Sequence, residues 1–137
     1  MNTVSSDKIG TTPEHDPGAN RKRVLVVEDN RDSAEMLCEV LGSYGCVTRV
    51  AYNGPAALDA ARDFKPGLAI IDINLPLMDG YELARSIRQM PGLSAIRLVA
   101  LTGHSEPAHR RKAQEAGFDD HLVKPVDLDE LRSLLGN

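Results

Sequence analysis

The chain has 137 residues, 42% hydrophobic and 26% charged, and a formal net charge of −4. That length suits one domain with a real core. The acidic balance, the absence of Trp and the presence of only two Phe and three Tyr argue against a nucleic-acid-binding surface.

No run reaches the roughly 18 apolar residues of a membrane span, and the N-terminus lacks the apolar stretch of a secretory signal, so a cytoplasmic protein is expected. Residues 1–22 are polar, rich in Gly, Pro, Ser, Thr and Asp, and are expected to form a disordered tail or linker ahead of a domain at 23–137. Cys38 and Cys46 have neither a C-x-x-C spacing nor the density of a disulfide scaffold, and read as packing thiols in a reducing compartment.

The apolar period then changes in a regular way. Val24-Leu25-Val26-Val27 is a continuous run ending in the acidic turn Glu28-Asp29-Asn30. Leu37, Val40, Leu41 and Tyr44 follow a helical period, with Asn30 or Asp32 able to cap it and Gly45 to stop it. Val47 to Ala51 reads as a strand with one wetter face, an edge strand, since it mixes in Thr48 and Arg49. Asn53 can cap a helix from Pro55 to Phe64, broken by Lys65-Pro66-Gly67.

Leu68 to Ile71 reads as a strand buried on both faces, ending at Asp72, with Pro76 and Asp79-Gly80 turning the chain behind it. Helices are expected from Tyr81 to Gln89, Pro107 to Ala116 and Leu128 to Leu135, and strands from Leu98 to Leu101 and His121 to Val123. Five strands alternating with five helices give an α/β fold with a parallel sheet, right-handed crossovers and helices on both faces.

In such a sheet the loops after the strands share one rim. That rim collects Glu28 and Asp29 from the first strand, Asp72 from the third, Thr102 from the fourth and Lys124 from the fifth. Clustered carboxylates repel and call for a cation. Oxygen donors without nearby Cys or His suit a hard ion, Mg²⁺, with Mn²⁺ able to stand in. With the Lys124 ammonium and Thr102 hydroxyl added, the rim describes a pocket for a tetrahedral dianion beside Asp72, whose carboxylate can attack phosphorus.

Val-Leu-Val-Val-Glu-Asp-Asn (24–30), Asp-Ile-Asn-Leu-Pro-Leu-Met-Asp-Gly (72–80), Ala-Leu-Thr-Gly (100–103) and Lys-Pro (124–125), in this order and spacing, resemble the receiver domain of two-component response regulators, over about Arg23 to Leu135. The resemblance implies a flavodoxin-like (βα)5 fold with strand order 2-1-3-4-5. It makes Asp72 the phosphoacceptor and Lys124 the phosphate-binding lysine, with a cis bond to Pro125. Glu28 (where Asp is more usual), Asp29, Asp72 and the backbone carbonyl of Asn74 would surround the metal.

It further implies a switch in which Thr102 moves toward the phosphoryl group and an aromatic residue on the fifth strand follows. By position that residue is His121, where Tyr or Phe is more usual. Asn74 and His104 occupy positions that tune phosphoryl lifetime.

The implied donor is a histidine kinase or a histidine phosphotransfer protein. The implied output is a protein target met through the fourth helix, fifth strand and fifth helix, as a monomer or a phosphorylation-dependent dimer. The His109-Arg110-Arg111-Lys112 run reads as a solvated face able to meet such a partner. The module would catalyse only its own phosphorylation and hydrolysis, standing alone or as the C-terminal receiver of a hybrid kinase. An aspartyl phosphatase would need an acid where Asn74 stands, and a flavin protein a phosphate loop after Val27.

Overall fold

The computed structural model describes residues 22–103 and 107–136. The expected N-terminal tail, apart from Lys22, and His104 lie outside them.

The elements alternate as β1 (Arg23–Val27), α1 (Arg31–Ser43), β2 (Val47–Ala51), α2 (Gly54–Phe64), β3 (Leu68–Asp72), α3 (Gly80–Arg88), β4 (Arg97–Thr102), α4 (Pro107–Ala116), β5 (Asp120–Val123) and α5 (Leu128–Leu135). The strands pair in parallel in the order β2-β1-β3-β4-β5. This is the flavodoxin-like arrangement implied by the resemblance.

Small shifts at the ends have local causes. β4 extends one residue beyond the apolar run at each end, because Arg97 N–H donates to Gly67 O at 3.1 Å and Thr102 pairs with Val123. α3 starts and ends one residue early, since Asp79 caps it by accepting from Glu82 N–H at 2.8 Å. Asn30, Asn53 and Asp127 cap α1, α2 and α5 in the same way.

Alternation along the strands divides the core in two. Leu25, Val27, Ala69, Ile71, Leu98 and Ala100 point to the face covered by α2, α3 and α4. Val24, Val26, Leu68, Ile70, Val99 and Leu101 point to the face covered by α1 and α5. The connections after β1 and β3 therefore leave the sheet on opposite faces, opening a crevice at the carboxyl ends of these neighbouring strands. β2 is an edge strand, as its composition suggested, and its Arg49 is exposed with its guanidinium 4.9 Å from the Phe64 ring centroid.

Leu83 is fully buried between α3 and the sheet. Leu83→Ala is expected to cost about 3 kcal/mol through lost burial and the cavity left behind, read from the urea midpoint.

Among the described residues, two that are not glycine have left-handed backbone. Lys65 (φ 50°) is the C-cap of α2, an ordinary place for it. Leu77 (φ 72°) lies in the β3–α3 loop, at a cost of about 1–2 kcal/mol for an L-residue.

Candidate functional site

Glu28 follows the last residue of β1 and Asp72 is the last of β3, so paired neighbouring strands deliver two carboxylates to one point of the rim. Glu28 is 2% exposed and Asp72 3%, burial that no carboxylate tolerates without partners. Asp72 has them on both oxygens. Oδ2 lies 2.6 Å from Lys124 Nζ, and Oδ1 accepts from Asn74 N–H at 2.9 Å. Glu28 Oε2 accepts from Asn30 N–H at 3.1 Å, and Oε1 lies 3.4 Å from the same Lys124 ammonium. One cation thus faces two buried carboxylates.

Asp29 is exposed, and one oxygen from each of Glu28, Asp29 and Asp72 falls within a 4.8 Å set. Three carboxylates at that spacing match the donors a hard divalent cation takes, with charge left over after Lys124 is counted.

The ionisation states follow from these contacts. Burial is the main force pushing Glu28 up from its ordinary value of 4.5, and the Asp72 charge adds to it; the Asn30 N–H and Lys124 pull the other way. Burial alone would lower Lys124, but the hydrogen bonds and charges of Asp72 and Glu28 outweigh it and hold the ammonium above its usual range.

Thr102 is buried at the end of β4, and its carbonyl accepts Lys124 N–H at 2.8 Å, so the Thr102 and Lys124 backbones are tied together. The Lys124–Pro125 peptide is cis, as the resemblance implied. Half-buried His121 lines, with Thr102, Ile73, Tyr81, Ala100, His109, Arg110 and Ala113, a cavity of about 10 Å³. A wider cleft of about 320 Å³ lies alongside, bounded by Asn74, Thr102, Tyr81, His109 and Lys112.

Glu28, Asp29, Asp72, Asn74 and Lys124 converge as the sequence suggested, and Thr102 borders one cleft with Asn74 and a small cavity with His121; His104 lies outside the described residues. The sequence reading missed two backbone donors, Asn74 N–H to Asp72 and Asn30 N–H to Glu28. In both, the donor follows its carboxylate by two residues in a turn, the signature of a side chain bonding its own backbone two residues on.

A family model for the response regulator receiver domain matches residues 24–136. The chain belongs to this family. The DNA-binding response regulator MtrA of Mycobacterium tuberculosis is 37% identical over 111 residues, 81% of this chain and 47% of MtrA. The sensor histidine kinase RcsC of Salmonella typhi is 32% identical over 130 residues, 95% of this chain and 14% of RcsC. The chain therefore spans about half or less of these two relatives.

Among solved structures, the receiver domain of sensor histidine kinase PA1611 from Pseudomonas aeruginosa superposes with a TM-score of 0.77 at 29% identity, covering 84% of this chain and 94% of that one. That structure holds a magnesium ion in its active-site cleft. This receiver domain thus occurs in relatives of two kinds, response regulators and histidine kinases. Among the described residues, no helix is long and apolar enough to cross a membrane.

Proposed function

We propose that Asp72 accepts a phosphoryl group from the phosphohistidine of a histidine kinase or phosphotransfer protein, in a Mg²⁺-dependent reaction. The observation that carries this is the buried Asp72 carboxylate, 2.6 Å from Lys124 and grouped with Glu28 and Asp29. A carboxylate oxygen of Asp72 forms the new O–P bond as the P–N bond to the donor breaks. The electron pair stays on that nitrogen and, with the ring's other nitrogen protonated in the donor, the leaving group is neutral imidazole.

Glu28, Asp29, Asp72 and the Asn74 carbonyl would hold the metal. When bound, it supplies positive charge to the oxygens of the transferring group. Lys124 holds another phosphoryl oxygen and Thr102 donates to a third. Thr102 and His121 border the same small cavity, which supports their moving together once Thr102 is drawn toward the phosphate.

The module performs only its own phosphorylation and hydrolysis. It works in the cytoplasm and signals by contact with a protein target, as a monomer or a phosphorylation-dependent dimer, without binding nucleic acid itself. His104 and Asn74 set phosphoryl lifetime.

The test is incubation with acetyl phosphate and Mg²⁺ followed by intact mass. Wild type is expected to gain one phosphoryl mass and Asp72→Asn none; adducts on both would refute the assignment.

A second measurement addresses the metal. Mg²⁺ at about 100 times its dissociation constant is expected to stabilise the fold by about 2.7 kcal/mol, with Mn²⁺ acting similarly and Asp29→Ala abolishing the gain. Because the raised Glu28 group holds its proton more tightly when folded, its ionised form weakens the metal-free fold. That penalty is absent below 4.5 and grows as pH rises through the folded-state value. Glu28→Gln is therefore expected to raise the thermal midpoint in EDTA at pH 7 while losing the Mg²⁺ response.

A further inference from the structure

The β3–α3 loop beside Asp72 carries a residue that the fold does not explain. Leu77 is 83% exposed, more than Met36 at 63% or Leu128 at 50%, the other exposed large apolar residues among those described. It also sits at φ 72°, and Met78 N–H donates to Pro76 O across it at 2.8 Å. Leu77 is thus the central residue of a γ-turn of the rarer, positive-φ kind, which is strained for any side chain and easiest for glycine. A leucine here incurs the strain and buries almost nothing within its own chain.

The loop is also held just after the turn and at its base. Met78 packs so closely on Gly54 that a Cβ there would lie 2.6 Å from Met78 Cβ, and Gly80 lies against the Asp72 carbonyl and Ile73 Cα. Leu77 is therefore projected outward from a fixed frame.

We infer that Leu77 is a preorganised apolar anchor for the protein that phosphorylates Asp72, seated in an apolar depression beside the donor's phosphohistidine. The inference rests on the phosphoacceptor reading above. It commits to the donor because Asp72, only 3% exposed, lies five residues away on the same connection. Any macromolecule delivering phosphorus to that carboxylate must rest on the loops around it, and an apolar side chain fixed in advance loses little freedom on docking. A small donor such as acetyl phosphate needs no such contact.

The experiment compares wild type with Leu77→Gly, which relieves the turn, and Leu77→Ala, which keeps the strain and removes the anchor. Each receives phosphoryl from acetyl phosphate and from a panel of autophosphorylated histidine kinases and phosphorylated phosphotransfer proteins; the fastest donor to wild type is titrated. Both variants are expected to need about tenfold or more of that protein donor for half-maximal rate, with acetyl phosphate rates within about twofold of wild type. Leu77→Gly should melt no lower than wild type.

Transfer to Leu77→Gly within twofold of wild type overturns the anchor, as does an equal loss with acetyl phosphate. A panel in which no donor labels wild type also overturns it, because a preformed apolar contact should support slow transfer from imperfect partners. Sedimentation showing a wild-type dimer that Leu77→Gly dissolves would instead assign the side chain to a second copy of the chain. Failure of wild type to be modified by acetyl phosphate would strike the phosphoacceptor reading itself.

Discussion

Gly80→Ala is expected to destabilise the fold by about 3 kcal/mol and to slow phosphorylation of Asp72 in the molecules that remain folded. A Cβ at this position would lie 2.7 Å from the Asp72 carbonyl oxygen and 2.8 Å from Ile73 Cα. Both are backbone atoms of the β3 end, so no side-chain rotation relieves the overlap.

Gly80 N–H donates to Ile73 O at 2.9 Å, and Ile73 N–H donates to Leu101 O at 3.0 Å. Pushing α3 away therefore loosens the end of β3 from both neighbours. The Asp72 carboxylate rides on that segment and loses its alignment with Lys124 and Asn74 N–H.

The loss is a large share of the stability of an ordinary domain. It should appear as a lower urea midpoint by circular dichroism and a slower acetyl phosphate reaction well below the melting temperature. Gly42→Ala is the control. Gly42 lies within α1 with nothing within 4 Å of an added Cβ, and alanine there is expected to stabilise by up to about 1 kcal/mol.

The fold was legible because each strand is a continuous apolar run or an obvious edge, and Gly, Pro or a capping residue punctuates nearly every join. The rim residues were legible for a related reason. A carboxylate immediately after a buried run, as in Val27-Glu28 or Ile71-Asp72, is an expense that local structure does not explain. The topology then determines which of these ends meet.

What remained hidden depends on backbone geometry or on distant partners. Nothing in Pro76-Leu77-Met78 announces that the middle residue takes φ 72°, because leucine is not the residue a left-handed turn favours. Gly80 read as turn chemistry, but its main constraint is the approach of a strand that ended eight residues earlier. Glu28 was read as a candidate metal-site acid, whereas its bond to Asn30 N–H needed the loop conformation. Arg88 carried no signal at all, being one more basic residue in the last turn of a helix, where the dipole favours it.

In the structure Arg88 is a clasp. Its guanidinium donates to Gly117 O at 3.0 and 2.6 Å, to Ser94 O at 3.0 Å and to Ile96 O, and meets Asp119 Oδ2 at 2.8 Å. The same Asp119 oxygen accepts Leu98 N–H at 2.8 Å. One planar group thus gathers the end of α3, the approach to β4 and the turn before β5, at the end of the sheet opposite Asp72.

Arg88→Ala would take a donor from three carbonyls and the cationic partner from Asp119, and the side chain is only 23% exposed, so water replaces it incompletely. The expected cost is about 3 kcal/mol. Arg88→Lys should recover little, because an ammonium cannot serve acceptors spread around a flat fork. Both variants should keep wild-type Mg²⁺ affinity and acetyl phosphate reactivity at temperatures where they are folded, since the clasp touches no residue of the rim. A clear loss of reactivity in folded Arg88→Lys would instead mean that the base of β4 helps to position Thr102.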